Sequence, residues 1–404
     1  METDITLQRA IALIQETVRP LEKVHRNLTE LQGYVLAEKI TAPGDLPPFP
    51  RSPLDGYALR AADIANASSE HPVLLKVIDK VFAGSVPVQQ VTPGTAVRVM
   101  TGAMLPKGAD CVIRQEDTDY GEKTVSIYAK VLPYQNYVLQ GSDYHRGDVL
   151  MNPGTRLDAA AVGILASAGI TEAVVWKKPK VSLLVTGSEV VSPFCKELPP
   201  GKIYGFNAVF LNARMKELGI PVADVCQEDD DADLIQKKIE ELLANSDVVI
   251  TTGGVSVGQK DVLPEVLEKL QAEIIFQGIM MKPGSPAIFS MVKGKPLLSL
   301  SGNPFASAAT FELLARPLFN TMEQDADIFL PSGKAVLDTP FLKASRGDRF
   351  IRGCCRNGHV TLPTSKEGHS SGAIYSMLNC NCLVAIPGGS PALPAGTEVN
   401  ILIL

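Results

Sequence analysis

A glycine-rich stretch in the second half of the chain limits the fold most strongly. The apolar run Asp247-Val-Val-Ile250 leads directly into Thr251-Thr-Gly-Gly-Val-Ser-Val-Gly-Gln-Lys-Asp261, and a helical pattern begins at Val262. A buried strand followed by a glycine-rich loop and a helix presents backbone N–H groups to an anion, usually a phosphate. The spacing matches neither the Walker pattern nor Gly-x-Gly-x-x-Gly. By itself the stretch predicts a phosphate-binding loop of an α/β domain.

The residues on both sides of this loop alternate between strand and helix patterns. We expect strands at 181–185, 223–227 and 247–251, and helices at 208–218, 232–245 and 262–270. This alternation is typical of a mostly parallel sheet with helices on both faces. A further helix is expected at 305–314, where Asn303 suits the N-cap and Pro304 the first helical position. After Pro317 we expect short strands and turns up to residue 404.

The first half of the chain follows other patterns. Residues 6–17 predict an amphipathic helix and residues 35–43 a strand. The proline-rich residues 46–53 predict either a crossing between domains or a rigid loop. Short strand patterns separated by Gly and Pro over residues 72–150 predict a small β-rich domain. Residues 151–176 return to a helix and a strand, which we expect to pack with the N-terminal helix.

Composition narrows the class of protein. The 404 residues are 45% hydrophobic and carry a net charge of −6, which argues against nucleic acid as the main partner. No apolar run reaches the ~18 residues that a membrane span needs, and the acidic N-terminus is unlike a signal peptide. We therefore expect a cytoplasmic protein with no membrane partner. Seven cysteines without a C-x-x-C motif argue against a disulfide framework or a zinc site.

Carboxylates follow three of the predicted strands of the α/β region. Glu189, Asp229–Asp231 and Asp261 lie in the loops after these strands, at the edge where open α/β sheets bind ligands. Carboxylates beside backbone N–H donors predict a site for Mg²⁺ and a phosphate. Alternatively, Asp230 and Asp231 only cap the helix that begins near residue 232. Lys282, in Lys282-Pro-Gly-Ser-Pro286, is a candidate phosphate contact or an ordinary solvated charge.

Seven short motifs, taken in order, resemble one family. They are D-G-Y-A (55–58), T-G-A (101–103), T-G-x-E (186–189), D-D (229–230), T-G-G-V-S-V-G-x-x-D (252–261), K-P-G-x-P (282–286) and G-N-P-x-x-S/A (302–307). The set is similar to that of the molybdopterin molybdenumtransferases, the MoeA family, which includes the gephyrin E-domain. The resemblance runs from about residue 6 to the C-terminus.

The resemblance implies an elongated multidomain chain of the α/β plus β class. Four domains are expected: a discontinuous N-terminal domain, a β-rich inserted domain, an α/β molybdopterin-binding domain and a C-terminal β-barrel-like domain. Their expected residues are 1–42 with 149–177, 43–148, 178–326 and 327–404. The resemblance also implies a homodimer, in which each active cleft lies between the α/β domain of one subunit and the inserted domain of its partner.

The implied reaction is the Mg²⁺-assisted insertion of molybdate into the dithiolene of adenylylated molybdopterin, with release of AMP. Molybdopterin adenylyltransferase and molybdoenzyme apoproteins are the further partners that the resemblance suggests. The motifs assign catalytic roles to Asp261, Glu189, Asp55 and Asp229, and metal binding to Asp261, Glu189, Asp55 and Asp143. They assign cofactor binding to Gly253, Gly254, Ser256, Lys282, Ser301, Asn303, Thr101, Arg352 and Ser371.

The chain departs from the family's usual residues at five places. Pro53-Leu54 replaces Ala-Met, Ser188 and Gly205 each replace Asp, Ser285 replaces Lys, and the segment 136–143 lacks an Arg and a Glu, with Ser142 in the place of the Glu. Each lost charge-assisted contact costs about 1.5–3 kcal/mol at an anion site. Two alternatives therefore stand beside the enzyme: a diverged paralogue that uses tungstate or a variant cofactor, and a non-catalytic gephyrin-like scaffold. The related single-domain adenylyltransferase would leave residues 1–150 and 330–404 unexplained.

Overall fold

A computed structural model of the chain describes residues 1–255, 262–327, 329–364 and 367–404. The first elements are β1 (Glu2–Ile5), α1 (Leu7–Thr17), β2 (Lys23–Asn27), β3 (Ile40–Thr41), β4 (Gly56–Leu59), β5 (Val73–Val81), β6 (Thr95–Val99), β7 (Cys111–Arg114), β8 (Thr124–Ile127), β9 (Val149–Met151), α2 (Ala159–Ser167) and β10 (Glu172–Trp176). The next are β11 (Val181–Thr186), β12 (Val190–Val191), β13 (Ile203–Tyr204), α3 (Asn207–Glu217), β14 (Val222–Glu228), α4 (Ala232–Asn245), β15 (Val248–Thr252), α5 (Leu263–Lys269), β16 (Glu273–Ile279), β17 (Met281–Lys282), β18 (Ile288–Val292), β19 (Lys295–Leu300), α6 (Pro304–Thr310) and α7 (Arg316–Met322). The last are β20 (Ser332–Leu337), β21 (Asp348–Arg356), β22 (His359–Thr361), β23 (Cys382–Ile386) and β24 (Glu398–Ile403).

A seven-stranded sheet forms the α/β region, with the order β1-β16-β18-β19-β15-β11-β14. Every neighbouring pair is parallel except the two that involve β18. Helices α1, α3, α6 and α7 pack on one face and α4 and α5 on the other. All residues of β11 and β15 are buried, as expected for strands covered on both faces. The predicted mostly parallel α/β sheet is confirmed.

The N-terminal residues belong to this sheet. Strand β1 pairs in parallel with β16, and the apolar stripe of α1, from Leu7 to Ile14, is buried in the same core. Thr6 caps α1, because its side chain accepts a hydrogen bond from the N–H of Arg9. Strand β10 pairs with β2 and not with the N-terminal helix, so the expected packing of residues 151–176 on that helix is replaced by a strand pairing.

The C-terminal residues form a closed barrel. Strands β21, β22, β20, β24 and β23 pair in that order, and β23 pairs back with β21. The inward-facing apolar side chains of these strands form a separate core, which confirms the predicted barrel-like fold. Strand β17 joins the edge of β21 and so connects the loop at Lys282 to the barrel.

The chain divides into two compact units. The first comprises Met1–Ala37, Pro153–Ala159 and Glu172–Leu404, and contains the α/β sheet and the barrel. The second comprises Glu38–Asn152 and Ala160–Thr171, and is built on a five-stranded sheet with the order β7-β4-β6-β5-β8. The second unit is thus β-rich, as expected for residues 72–150. The four domain boundaries proposed above stay a prediction.

Two local predictions are wrong. Pro317 does not end the helical region, because α6 continues through a π-helical turn at Phe311–Ala315 into α7, where Pro317 is the second residue. The π-helical turn interrupts the regular α-helical hydrogen-bond pattern directly before Pro317, and prolines and π-helical turns are the usual irregularities within long helices. In the segment 35–43 only Ile40–Thr41 form a strand. Within the described ranges, no helix is both long enough and apolar enough to cross a membrane.

Candidate active site

The predicted ligand-binding loops meet at one edge of the α/β sheet. Parallel pairing aligns the carboxyl ends of β11, β15 and β19, because Val185 pairs with Thr252 and Thr252 with Leu300. The loops that begin at Gly187, Gly253 and Ser301 therefore lie side by side. The carboxyl edge of an open sheet is the usual place for a ligand.

These loops enclose the first of two cavities, which we call the glycine-loop cavity. Its volume is about 540 Å³. The side chains and loop backbone that line it include Thr186, Gly187, Ser188, Glu189, Phe206, Asn207, Asp230, Gly253, Gly254, Ser301, Gly302 and Asn303. The structure thus brings together five predicted site residues: Glu189, Gly253, Gly254, Ser301 and Asn303.

Close backbone packing explains the glycine at position 253. A Cβ there would lie 2.4 Å from the carbonyl oxygen of Thr186, and the residue has φ +104°, a conformation that L side chains rarely adopt. The N–H of Gly253 donates to the carbonyl of Leu300. Gly254 has φ +63°, and among the described residues the nearest atom to its ideal Cβ is Oγ1 of Thr186, at 3.5 Å. Of these two glycines, Gly253 is therefore the one that packs tightly against β11.

Asn207, at the start of α3, is a site residue that the sequence analysis did not single out. Its side chain is buried, and its Nδ2 donates to the carbonyl of Gly302 at 2.8 Å and to Oγ1 of Thr252 at 3.4 Å. Its Oδ1 is buried with no hydrogen-bond partner among the described residues. The sequence does carry a signal, because Gly205 stands at the Asp of a family pattern Ile-Tyr-Asp-x-Asn, here Ile203-Tyr-Gly-Phe-Asn207, and Asn207 is the last residue of that pattern.

The three consecutive aspartates at this edge, Asp229 to Asp231, have different surroundings. Asp231 is the N-cap of α4 and accepts from the N–H groups of Asp233 and Leu234, so the capping alternative is correct for this residue. Asp230 lines the cavity and accepts from the N–H of Ser188 at 3.0 Å. Asp229 is exposed and is not among the residues that line the cavity.

The carboxylates near the glycine-loop cavity are the candidates for metal binding. No cluster of three or more His, Cys, Asp or Glu side chains able to hold a metal occurs among the described residues. Magnesium sites in enzymes are commonly built from one or two carboxylates together with substrate phosphates and water. Glu189 and Asp230 fit that smaller requirement. The predicted residues Ser256 and Asp261 lie outside the described residues.

A second cavity of about 420 Å³, which we call the barrel-side cavity, lies between the sheet edge and the barrel. The polar residues that line it are Lys282, Ser285, Ser301, Asn303, Lys343, Arg349, Arg352, His369 and Ser371. Ser301 and Asn303 line both cavities, so the two are adjacent at the loop between β19 and α6. Lys282 therefore lies in a different cavity from Gly253 and Gly254, with which the sequence analysis had grouped it.

Arg352 is buried and holds the backbone of residues 370–373. Its Nη1 donates to the carbonyl of Ala373 at 2.7 Å and its Nη2 to the carbonyl of Ser370. The guanidinium carbon lies 3.8 Å from the ring centroid of Phe305, a cation–π contact, and burial lowers the pKa of Arg352 to about 10. Since the carbonyl of Ser371 accepts from the N–H of Phe305, Arg352 positions the Ser371 segment over the start of α6.

The remaining predicted residues lie in the second unit. Pairing of Gly56 with Val99 brings Asp55 next to Thr101, whose N–H and hydroxyl both donate to Oδ1 of Asp55, at 2.7 and 2.8 Å. These bonds lower the pKa of the Asp55 carboxyl below its usual value, so it is ionised at neutral pH. Asp143 is exposed in the same unit.

Family models match almost the whole chain. Residues 5–169 match the MoeA N-terminal region (domain I and II), residues 182–321 a probable molybdopterin binding domain, and residues 334–404 the MoeA C-terminal region (domain IV). These matches agree with the resemblance drawn from the seven motifs.

Full-length relatives carry the same family name. A molybdopterin molybdenumtransferase of Staphylococcus epidermidis is 35% identical over 404 residues, covering 99% of this chain and 96% of the relative. One of Staphylococcus aureus is 36% identical over 402 residues, covering 99% and 95%. The crystal structure of a molybdopterin biosynthesis MoeA protein from Pyrococcus horikoshii superposes with a TM-score of 0.85 at 30% identity, covering 99% of this chain and 100% of that one. The chain is therefore a member of the MoeA family of molybdopterin molybdenumtransferases, a transferase of molybdenum cofactor biosynthesis.

Proposed function

We propose that this protein inserts molybdate into the dithiolene of adenylylated molybdopterin and releases AMP. The observation that carries the proposal is the pair of adjacent cavities of unlike charge. Carboxylates line the glycine-loop cavity and basic side chains line the barrel-side cavity, and the two share Ser301 and Asn303. A substrate with a phosphoanhydride and a reacting metal oxyanion needs positioned cations and a water-poor cleft.

The residues of each cavity then have separate tasks. In the glycine-loop cavity, backbone groups of Gly253 and Gly254 and the side chain of Asn207 hold the substrate close to the sheet edge. In the barrel-side cavity, Lys282 pairs with the phosphate of the pterin, and Ser371 lies on the segment that Arg352 holds in place. Binding and orientation are thus carried by fixed groups, which need little rearrangement during the reaction.

We propose Glu189 and Asp230 as the carboxylates of the described part of the chain that hold Mg²⁺ together with phosphate oxygens. A bound Mg²⁺ supplies positive charge next to the phosphoanhydride. Asp261, which the family motif assigns to the same task, is part of the proposal by resemblance. Ser188 supports the arrangement, because its N–H orients the carboxylate of Asp230.

The direct test is release of AMP from adenylylated molybdopterin by the purified protein, with Mg²⁺ and with or without molybdate. We expect molybdate to stimulate release, and Glu189→Gln to reduce it by about a hundredfold, on the scale of one lost electrostatic contact in a catalytic site. Glu268→Gln serves as the matched control, since Glu268 is an exposed acid on α5 away from both cavities. Equal turnover of the two variants would contradict the role given to Glu189.

We also propose that the protein acts as a homodimer, with Asp55, Thr101 and Asp143 of one subunit completing the cleft of the other. Mixing Asp55→Asn chains with Glu189→Gln chains tests this arrangement. If the cleft is shared, half of the dimers are mixed and each contains one intact cleft, so activity returns to about a quarter of the wild-type value. If each cleft is built by a single chain, every cleft carries one substitution and no activity returns.

The departures at Ser188 and Ser285 favour one alternative, a paralogue that uses tungstate. Both positions line the cavities, and both have lost a charged group relative to the family motif. Replacing molybdate by tungstate in the AMP-release assay separates the readings. Stimulation of AMP release by tungstate alone would show that the protein is a paralogue that uses tungstate. If neither oxyanion stimulates release of AMP, a non-catalytic scaffold becomes the favoured interpretation.

A further inference from the structure

Two walls of the glycine-loop cavity are the two ends of a single loop. Residues 187–190 leave β11 and carry Glu189, and residues 203–207 lead into α3 and carry Phe206 and Asn207. A short parallel pair, β12 with β13, joins the two ends, with Val190 in register with Ile203. The shape of the cavity between these walls therefore depends on the contacts that hold the ends of the loop together.

Lys202 holds one wall from the base of the other. It directly precedes β13 and is half-buried, and its Nζ donates a hydrogen bond to the carbonyl oxygen of Ser188. The next residue, Ile203, donates its N–H to the carbonyl oxygen of Glu189 at 2.9 Å. Residues 202 and 203 thus bind two successive carbonyls, one on each side of the Cα atom of Glu189.

The carboxylate of Glu189 is placed by the same short segment. A Cβ at Gly187 would lie 2.9 Å from Oε2 and 3.2 Å from Oε1 of Glu189, so the carboxylate packs closely on the backbone of Gly187. The N–H of Ser188, in turn, donates to Oδ2 of Asp230 at 3.0 Å. A rotation of the peptide groups on either side of Ser188 would therefore move Glu189 and break the contact with Asp230.

The bond made by Lys202 is a strong one for a side chain on a loop. An ammonium that donates to a carbonyl forms a charge-assisted hydrogen bond, about twice as strong as a bond between neutral groups. The described residues provide no carboxylate that forms an ion pair with this ammonium. Ser188 and Gly205, one on each wall, both replace an Asp of the family motif, so neither offers a competing charge.

We propose that Lys202 is a positioning residue for the reaction, which fixes the Ser188 peptide and so places the carboxylate of Glu189 in the cavity. Lys202 is not among the residues that line the cavity, so it acts through the loop and does not touch the substrate. The inference deepens the proposed function, because it rests on the role given there to Glu189. The order of the loop itself is measured without turnover.

The first test is hydrogen–deuterium exchange of the full chain, followed by mass spectrometry of peptides that cover residues 186–191. We expect Lys202→Met to speed exchange in this segment about tenfold, as for the loss of one charge-assisted hydrogen bond. Peptides from β15 are the internal reference and should not change. Lys196→Met is the matched control, since Lys196 is an exposed lysine of the same loop. Unchanged exchange at 186–191 in Lys202→Met would overturn the proposal.

Conservative variants distinguish the hydrogen bond from the packing of the side chain. Lys202→Arg keeps both the charge and a donor, so we expect it to behave nearly as the wild type does. Lys202→Gln keeps a neutral donor and should lie between the Arg and Met variants. If both exchange as fast as Lys202→Met, the lysine acts only through its packing, which would contradict the proposal.

Turnover tests whether Lys202 acts through Glu189. Because Lys202 does not touch the substrate, kcat for AMP release should fall about tenfold in Lys202→Met while the KM for adenylylated molybdopterin stays within about twofold of the wild-type value. In a Glu189→Gln background the same substitution should cost no further activity. A full additional loss in the double variant would show that Lys202 acts independently of Glu189, and would refute the positioning role.

Failure of this inference and failure of the proposed function are distinguishable. Faster exchange at residues 186–191 in Lys202→Met, in a protein that releases no AMP, would leave the loop contact established and refute the proposed reaction. Release of AMP with equal kcat in the wild type and Lys202→Met would leave the reaction established and refute the role of Lys202.

Discussion

The contact between the glycine-rich loop and β11 gives a prediction whose size follows from the coordinates. In Gly253→Ala, the new Cβ would lie 2.4 Å from the carbonyl oxygen and 2.7 Å from Oγ1 of Thr186. A φ of +104° adds about 1–3 kcal/mol for a residue with a side chain. Because the nearest obstacle is backbone, the loop itself must move. We expect a loss of about 3–5 kcal/mol in the free energy of unfolding, at the upper end of single substitutions.

Gly254→Ala is the matched control, one residue further along the loop. Gly254 has φ +63°, and within the part of the chain that the structure describes the nearest atom to its ideal Cβ is 3.5 Å away. The left-handed conformation alone costs about 1–2 kcal/mol. The pair therefore separates close packing from the general cost of replacing a glycine in this loop.

The assays are urea unfolding followed by far-UV circular dichroism, and AMP release from adenylylated molybdopterin. A shift of about 1 Å in groups that hold a substrate lowers turnover by about a hundredfold, and we expect that loss in Gly253→Ala. Gly254→Ala should lose much less of both stability and activity. If the two variants lose equal stability, the reasoning from the Thr186 contact is refuted.

Three further predictions concern other residues of the first unit. Arg352→Lys removes a guanidinium that binds the carbonyls of Ser370 and Ala373 together, so unfolding free energy should fall by about 2–3 kcal/mol, and urea unfolding checks this. The pKa of His369 is lowered in the folded protein. As the pH falls through about 6.5, the unfolded chain therefore takes up a proton before the folded protein does, and the folded state loses stability. The free energy of unfolding, measured at pH 7.5 and 5.5, should fall less in His369→Gln than in the wild type. Asn207→Ala removes the amide that bonds Thr252 at the end of β15 and Gly302 in the loop after β19. We expect the KM for the pterin substrate to rise about tenfold. A KM equal to that of the wild type would exclude a role of Asn207 in positioning the substrate.

The α/β region was predictable because its signals are local. The buried strand, the glycine loop and the following helix each have a pattern that is contained within about a dozen residues, and α4 lies at the expected residues 232–245. The ligand edge followed from parallel topology, and Glu189, Gly253 and Asn303 lie there as the sequence suggested.

Long-range pairing could not be read from the sequence. Strand β1 has only four residues, Glu2–Ile5, with no apolar alternation, and it is defined by a partner strand at Glu273–Ile279. Likewise, nothing local places Lys343 and Arg349 beside Lys282, since the barrel and the sheet edge meet only in the fold. The basic side chains that the barrel contributes at positions 343 and 349 to the barrel-side cavity were therefore not predicted.

Adjacent carboxylates show a finer limit. Asp229, Asp230 and Asp231 are equivalent in sequence, yet Asp230 lines the glycine-loop cavity, Asp231 caps α4 and Asp229 does neither. Which residue does which depends on where β14 ends and α4 begins, and helix boundaries in sequence are uncertain by a few residues. For the same reason, the sequence pattern did not predict that the helical region continues through Pro317 to Met322.

The central claim is that one protein couples loss of AMP to insertion of the metal. The most direct test measures, in one reaction, the AMP released and the molybdenum bound to the pterin product, by chromatography and elemental analysis. Coupled chemistry predicts equal amounts of the two, with tungstate in excess reducing molybdenum incorporation. AMP released without bound molybdenum, or no AMP from a folded protein that binds the substrate, would contradict the account.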